Sequence, residues 1–217
     1  MRCTLAKQKV ETNTTLLEAA KKVLRRDGFA GLSTRGVAAV ANVPLSQIHY
    51  HFGSKEGLVL ALFEYLNNQL LDRQHEMFSN PDLKLSEQWE LACTYLDDDL
   101  ASGYVRVLQE LWAAGYSNPE IAKVVREGLL AWQKLLTKVA REAEARFGPY
   151  PHFGPEDLAA LVGATFIGSE AYALLGVETE GVPIRVALRK VNLLIRTMEA
   201  TSQSEQSKSR STAKAKR

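Results

Sequence analysis

Side chains that can read DNA are concentrated in the short segment LSQIHYHF at residues 45–52. Leu45, Ser46 and Gln47 open this segment, and between them they can touch a thymine methyl group, donate a hydrogen bond and accept one. These are the contacts by which a helix reads base edges in the major groove. The segment therefore predicts a groove-reading helix over about residues 44–52. A solvated polar surface helix is the alternative.

The residues before this segment predict a second helix that crosses it at a tight turn. Val37 and Ile48 fall where two short helices need branched side chains between them. Ser33 is a good N-cap for the earlier helix, and Asn42 tolerates the left-handed backbone that such a turn needs. Residues 33–57 thus predict a helix-turn-helix followed at once by the start of another helix.

This region resembles the N-terminal domain of the TetR family of bacterial transcriptional regulators over residues 14–66. The matching residues are Leu32–Arg35, Val37–Ala38, Val43 and the block Ile48–Leu58. That block keeps nearly all of the family pattern, which is an aliphatic or aromatic residue, usually Tyr, then a variable residue, His-Phe and, one or two residues later, Ser-Lys-Glu. His49 departs from it, because the family usually has a phosphate-contacting Tyr there, and Tyr50 beside it could take over part of that role.

The segment and the resemblance together predict a DNA-binding face. Its residues are Thr34, Arg35, Leu45, Ser46, Gln47, His49, Tyr50, His51 and Lys55. The resemblance implies that Arg35 reaches a guanine edge, and Gln47 is expected to read a second base pair. Thr34, His49, Tyr50 and Lys55 are expected to contact phosphates, Lys55 with the help of exposed N–H groups at a helix start.

Charge is distributed unevenly along the 217 residues, which the net charge of +2 conceals. Residues 1–57 hold nine Lys/Arg and four Asp/Glu, residues 58–201 hold 13 and 20, and residues 202–217 hold five and one. A basic N-terminal segment is the electrostatic footprint of phosphate binding, whereas an acidic body limits unproductive contact with DNA. A chance fluctuation among surface charges is the alternative.

Cysteine usage and missing motifs indicate a soluble, non-enzymatic protein of the reducing cytoplasm. Cys3 and Cys93 are far apart without a CxxC partner, so neither a disulfide framework nor a zinc site is predicted. The run Asp97–Asp99 is better explained by the capping of a helix start than by a metal site. No membrane span, signal peptide, phosphate loop, nucleophile elbow or HExxH motif is found. We expect no cofactor and no metal.

Helical periodicity throughout predicts an all-α protein of two domains and a tail. A helix at about residues 14–26 would complete a three-helix DNA-binding domain over residues 1–57, and a connecting helix at 54–78 would lead into a larger helical ligand-binding and dimerisation domain over 58–201. Helices in the larger domain are expected at about residues 85–97, 98–115, 119–147, 155–175 and 183–201. Residues 202–217 are rich in Ser and Lys and predict a disordered basic tail.

Aromatic side chains are frequent in the larger domain, and the resemblance implies that this region encloses an effector pocket. The candidate pocket residues are Trp89, Tyr95, Tyr104, Trp112, Tyr116, Trp132 and Phe166. Ordinary core packing is the alternative for each of them.

The last two predicted helices are the candidates for a dimer interface. Apolar residues repeat at close to 3.5 positions on the final helix, and the helix before it presents Phe166 on its apolar side. The interface residues predicted in this way are Phe166, Ile184, Leu188, Val191, Ile195 and Met198. Two such helices from each subunit would form a four-helix bundle, and the resemblance implies the same homodimer. Packing within one subunit is the alternative.

These observations predict a ligand-responsive transcriptional regulator, acting as a homodimeric repressor that a small-molecule effector releases from a palindromic operator in double-stranded DNA. Two other classes stay open. One is a helical small-molecule-binding protein or enzyme whose basic N-terminal unit does not bind DNA. The other is an architectural DNA binder without sequence preference, although the base-reading types of Arg35 and Gln47 favour sequence-specific binding.

Overall fold

The computed structural model describes the backbone of residues 2–215 and the side chains of residues 12–202 and 204. This part of the chain contains helices and no β-strand, which confirms the all-α fold. The helices are α1 (Arg2–Gly31), α2 (Thr34–Ala41), α3 (Leu45–Phe52), α4 (Lys55–Ser79), α5 (Leu85–Ser102), α6 (Tyr104–Gly115), α7 (Pro119–Phe147), α8 (Pro155–Leu174) and α9 (Ile184–Ala215), with a 3₁₀ turn at Val177–Glu180 between α8 and α9.

Two glycines in the left-handed region explain where α1 bends and where α5 ends. Gly28 has φ 71° inside α1, so the first helix bends there and continues to Gly31. Gly103 has φ 83° and separates α5 from α6. The predicted junction at Asp97 is therefore wrong, and the Asp97–Asp99 run lies inside α5 rather than at a helix start. Only glycine adopts a positive φ without strain, whereas aspartates are compatible with a continuing helix.

Close packing divides the chain into two compact units, which differ from the predicted domains. The first unit comprises residues 1–72 and 97–130, and the second comprises residues 73–96 and 131–217. Helices α4, α5 and α7 each contribute residues to both units. The division at residue 57 stays a prediction about function, because α6 and the first part of α7 belong to the same compact unit as the helix-turn-helix.

The core of the first unit is built on the apolar face of α1. Leu16, Val23 and Leu24 are buried there, as are Ile48 of α3 and Leu62 of α4. A Cβ at Gly103 would lie 3.1 Å from the Leu24 Cγ, so α1 passes close to the start of α6. The rings of Phe63 and Tyr104 stack with centroids 6.0 Å apart. This core packs against the inner side of α2 and α3, opposite their exposed side chains.

A polar cluster joins α1 to α4 within the first unit. The Tyr65 hydroxyl donates to Glu18 Oε1 at 2.5 Å, and Lys21 Nζ donates to Gln69 Oε1 at 2.8 Å. The Tyr65 hydrogen bond lowers the pKa of the Glu18 carboxyl, while burial and then Glu18 raise the pKa of Tyr65 to about 12. The two helices are therefore held by directional bonds as well as by apolar packing.

In the second unit, α9 is fastened to the start of α5 by polar contacts. Glu199 accepts hydrogen bonds from the Ser86 backbone N–H at 3.0 Å and from the Ser86 hydroxyl at 2.8 Å. Asn192 Nδ2 donates to the Ser86 carbonyl at 2.8 Å. Glu199 thereby satisfies an N–H group that the first turn of α5 would otherwise leave unpaired. These bonds determine which face of α9 is turned inward.

Helix α9 extends beyond its predicted end at Thr201 and continues to Ala215. That predicted end is wrong, because residues 202–215 contain neither proline nor glycine and include Glu, Gln, Lys and Ala, which favour helices. The side chains of residues 205–217 lie outside the described residues, and the disorder expected for residues 202–217 stays a prediction. Among the described helices, none has the length and apolar character needed to cross a membrane.

Candidate DNA-binding face and ligand cavity

Local hydrogen bonds produce the helix-turn-helix. The Ser33 hydroxyl accepts from the Gly36 N–H at 3.1 Å and caps α2. Asn42 adopts φ 54° and ψ 47°, which turns the chain so that the Val43 N–H bonds to the Ala38 carbonyl at 3.0 Å. Both predictions, the Ser33 cap and the left-handed Asn42, are confirmed. The two helices meet over Val37 and Ile48, which are fully buried.

Most of the predicted DNA-contacting side chains lie on the surface of this motif. Those exposed to solvent are Arg35, Ser46, Gln47, His49, Tyr50 and Lys55, and those half-buried are Thr34, Leu45 and His51. Because Ile48 anchors α3 from inside, the neighbouring positions of this two-turn helix must point outward. Thr34 and Arg35 start α2, and Lys55 starts α4. The surface of the motif therefore includes the starts of α2, α3 and α4 and the outer side of α3. Exposed N–H groups at helix starts favour contact with anions.

The hydrogen bond made by His49 determines what this side chain can offer to a phosphate. Its Nδ1 lies 3.1 Å from the Gly53 carbonyl oxygen. A carbonyl can only accept, so Nδ1 carries the proton and Nε2 is the nitrogen left for other contacts. In the neutral ring Nε2 is an acceptor. Only the doubly protonated ring can therefore donate to a phosphate oxygen from this position.

Gly57 is a structural requirement of the motif that the sequence patterns did not single out. The Ser54 hydroxyl accepts from the Gly57 N–H at 3.0 Å and caps α4. A Cβ at Gly57 would lie 2.1 Å from the carbonyl oxygen of Phe52, the last residue of α3. A distance this short is not tolerated, so a glycine is needed for α4 to start so close behind α3. The position in the Ser-Lys-Glu-Gly run was the available signal.

A largely apolar cavity of about 230 Å³ lies within the second unit. Three of the predicted pocket residues, Trp89, Trp132 and Phe166, line it. The Phe166 ring meets Trp89 edge to face at 5.7 Å and Trp132 at 6.4 Å. The remaining wall is mostly aliphatic and is supplied by Phe78, Leu85, Ala92, Leu136, Val139, Ala140, Ala143, Leu158, Ala159, Val162, Val191, Leu194, Ile195 and Met198, with Gln74 and Tyr150 as polar members.

The other four predicted pocket residues lie elsewhere. Tyr104 is buried in the first unit, where its hydroxyl donates to Asn67 Oδ1 at 3.0 Å, and Tyr116 is 82% exposed. Tyr95 is covered by the Arg73 guanidinium at 4.2 Å, and Trp112 is half-buried on α6. Their assignment to this cavity is corrected, because aromatic character does not distinguish a cavity wall from core or surface. Gln74 and Tyr150, which line the cavity, were not predicted.

The predicted dimer residues face the interior of their own subunit. Leu188 and Ile195 are buried, and Val191, Ile195 and Met198 line the cavity, while Ile184 is half-buried. Phe166 is buried between the two tryptophans. Leu188, Ile195 and Phe166 are therefore covered within their own chain, as the alternative interpretation stated, while an interface at the half-buried Ile184, Val191 and Met198 stays a prediction. Other apolar side chains of α8 and α9 are exposed, namely Leu161, Tyr172, Val186 and Leu193, with Leu175 directly after α8. Leu194 is exposed as well and also lines the cavity.

No group of three or more His, Cys, Asp or Glu side chains among the described residues is arranged to hold a metal ion. Cys93 is buried and is not part of a disulfide. The described part of the chain presents a polar, exposed surface on α2, α3 and the start of α4, and a largely apolar, partly open cavity within the second unit.

Comparison with known proteins identifies the class to which this fold and site belong. A family model described as bacterial regulatory proteins of the tetR family matches residues 16–62. The HTH-type transcriptional regulator CymR of Pseudomonas putida is 34% identical over 104 residues, which cover 46% of this chain and 51% of that relative. The matched segment thus spans about half the length of this relative.

Solved structures share the fold at low sequence identity. A putative TetR-family regulator from Mesorhizobium loti superposes with a TM-score of 0.68 at 14% identity, covering 89% of this chain and 97% of that one. The regulator FadR of Bacillus subtilis, solved in complex with stearoyl-CoA, superposes with a TM-score of 0.63 at 15% identity, covering 84% and 96%. The molecule is a two-part helical protein of the helix-turn-helix class. Residues 16–62 thus match bacterial regulatory proteins of the tetR family, and the described fold is shared with a solved putative regulator of that family.

Proposed function

We propose that this protein is a sequence-specific transcriptional repressor that leaves its operator when a small molecule binds. The observation that carries the proposal is the exposed face of α2 and α3, which is held in place by the buried Val37 and Ile48 and lies within the residues matched by the family model. A rigid polar helix supported from behind is the arrangement by which proteins read the major groove.

Two groups of side chains on this face have different roles in the proposal. Arg35 and Gln47 read base edges, Arg35 because a guanidinium can bond a guanine at two positions. Leu45, Ser46 and His51 contact the groove beside them. Thr34, His49, Tyr50 and Lys55 hold the phosphate backbone, which fixes the register of α3 without reading sequence. All of these side chains are exposed or half-buried, as the proposal requires.

The operator is proposed to be palindromic and the protein to be a homodimer. The support is the apolar surface of α8 and α9, where Leu161 is 53% exposed, Leu193 62% and Leu194 63%. Large apolar side chains grouped on two helices favour association with another apolar surface. A two-fold dimer would hold two copies of α3 about 34 to 36 Å apart, one turn of DNA.

The effector is proposed to bind the cavity within the second unit. FadR, a structural neighbour, was solved with stearoyl-CoA bound, which is consistent with a ligand-binding role for this fold. The effector can change DNA affinity only by binding one conformation of the protein more tightly than the other. A cytoplasmic location accompanies the proposal, because that is where a bacterial operator is accessible.

The test is the binding of the full chain to duplex DNA from its own upstream region. Selection or footprinting identifies the site, and fluorescence anisotropy then compares it with a scrambled duplex at several salt concentrations. We expect preference for the site and a steep loss of affinity with salt. Equal affinity for both duplexes would favour an architectural DNA binder, and no binding to either would favour a helical ligand-binding protein or enzyme.

A further inference from the structure

The described wall of the cavity offers a ligand no charged side chain and no unpaired indole N–H group. Its lining contains no Asp, Glu, Lys, Arg or His. The Trp89 indole donates to the Leu188 carbonyl at 2.9 Å, and the Trp132 indole donates to Gln74 Oε1 at 2.8 Å. A charged group placed among these side chains would lose its hydration without gaining a partner, which is strongly unfavourable.

Gln74 is the buried polar side chain of the described wall, whereas the Tyr150 hydroxyl belongs to a side chain that is 43% exposed. Gln74 is 8% exposed and lines the cavity from α4. An indole N–H can only donate, so the amide oxygen of Gln74 must face Trp132 and the amide nitrogen must be the other end. The hydrogen bonds found for Gln74 among the described residues involve Oε1 and not Nε2, and Nε2 is not one of their fully buried unpaired atoms. Because Gln74 lines the cavity, the N–H groups of Nε2 are suited to donate to an acceptor on a ligand.

The size and shape of the cavity restrict what the ligand can be. An apolar cavity of about 150 Å³ is large enough for benzene. A cavity of about 230 Å³ therefore suits a molecule about half as large again, such as a bicyclic hydrocarbon. The rings of Trp89, Trp132 and Phe166 favour an aromatic ligand, because edge-to-face and offset contacts between rings are attractive. Tyr150, which is 43% exposed, is at the boundary with solvent.

We propose that this cavity binds an uncharged, mainly hydrocarbon aromatic molecule with one hydrogen-bond acceptor, and that Gln74 Nε2 recognises this acceptor. The effect of this ligand on DNA affinity rests on the proposed effector role. The binding of the ligand to the cavity does not depend on DNA. A second hollow in the same unit carries Lys138 and Arg146. A fatty acid whose carboxylate reaches these side chains is the alternative ligand class, and decanoate tests it.

The test measures the affinity of the full chain for four probes by isothermal titration calorimetry. The probes are α-tetralone, which has a carbonyl acceptor, tetralin, which has none, the corresponding tetralin carboxylate, and decanoate. We expect α-tetralone to bind about three- to tenfold more tightly than tetralin, the gain of one net hydrogen bond. The two carboxylates should bind at least about 100-fold more weakly than α-tetralone.

Matched variants test whether Gln74 Nε2 causes the preference for α-tetralone over tetralin. Gln74→Met, which keeps the side-chain length, should lower the ratio of α-tetralone to tetralin affinity to about one. Gln88→Met is the matched control and should preserve the ratio, since Gln88 is equally buried but donates to the Met77 carbonyl and does not line the cavity. Because the ratio is read within each variant, a general change in stability or cavity size does not alter it.

Three outcomes would overturn the proposal: no binding of either neutral probe, a carboxylate that binds as tightly as α-tetralone, or an unchanged ratio in Gln74→Met. DNA binding is measured separately on the same protein. Operator binding that α-tetralone does not affect would leave the ligand class standing and remove the proposed effector role. Ligand binding without any DNA binding would remove the proposed regulator.

Discussion

Leu193→Glu should convert the protein into a folded monomer. Leu193 is 62% exposed in the single chain, whereas Ile195, two residues along α9, is 8% exposed and lines the cavity. Full burial of a leucine side chain is worth roughly 1.5 to 3 kcal/mol, so covering the exposed part in a dimer is worth about 1 to 2 kcal/mol. A two-fold axis doubles this to about 2 to 4 kcal/mol, and the burial of two carboxylates adds to the loss.

The dissociation constant of the dimer should therefore rise by at least about 30- to 1000-fold, since each 1.4 kcal/mol is about tenfold. Sedimentation velocity over a dilution series measures it, and circular dichroism checks that the helices remain. Leu130→Glu is the matched control: Leu130 is 53% exposed but lies on α7 in the first unit, so this variant should stay dimeric. Ile195→Glu should instead unfold the chain. A folded Leu193→Glu dimer of unchanged affinity would refute the placement of the interface.

Three further predictions concern the DNA-binding unit. Arg35→Ala should relax the preference for one base pair by about 1 to 3 kcal/mol, whereas Lys55→Ala should weaken binding to all duplexes and reduce the slope of log affinity against log salt by about one. Anisotropy titrations on site and scrambled duplexes separate the two effects. An unchanged site-to-scrambled affinity ratio in Arg35→Ala would contradict its base-reading role. Because Nδ1 of His49 bonds to the Gly53 carbonyl, Nε2 is the ring nitrogen left to contact a phosphate, so His49→Ala should weaken binding to site and scrambled duplexes alike. A changed site-to-scrambled ratio in this variant would contradict the phosphate role. Tyr65→Phe should cost about 1 to 2 kcal/mol of unfolding free energy at pH 7 by chemical denaturation.

The pH dependence of this last variant follows from the two pKa shifts. The Tyr65 hydroxyl holds the pKa of Glu18 below its usual range, so that part of the stability is present above about pH 4.5 and is lost as the pH falls through the folded-state pKa. The difference between wild type and Tyr65→Phe should therefore shrink in acid. The pKa of Tyr65 is raised to about 12 from 10.0, so only the wild type should lose the corresponding stability between about pH 10 and 12. Parallel denaturation curves across both ranges would contradict the Glu18 pairing.

The helix-turn-helix could be predicted from the sequence because its determinants are local. A cap at Ser33, a left-handed residue at Asn42 and a buried Ile48 act within a few residues of one another. The groove-reading side chains then project outward as a consequence of helical geometry. The all-α fold follows in the same way from periodicity along the chain. The Ser-Lys-Glu-Gly run marks Gly57, but the requirement for a glycine there depends on the distance to the Phe52 carbonyl, which the sequence does not give.

Only the tertiary structure decided which apolar residues of α9 point inward. The helix carries two apolar sets, one with Leu188 and Ile195 and one with Val186, Leu193 and Leu194, and periodicity alone does not tell a core face from an interface. The polar bonds of Ser86 to Glu199 and Asn192 turn the first set inward. The cavity depends in the same way on contacts between residues far apart in the chain, such as Gln74 and Trp132. A single sequence therefore determined the helix-turn-helix, whereas long-range packing decided the apolar cavity and the exposed apolar surface.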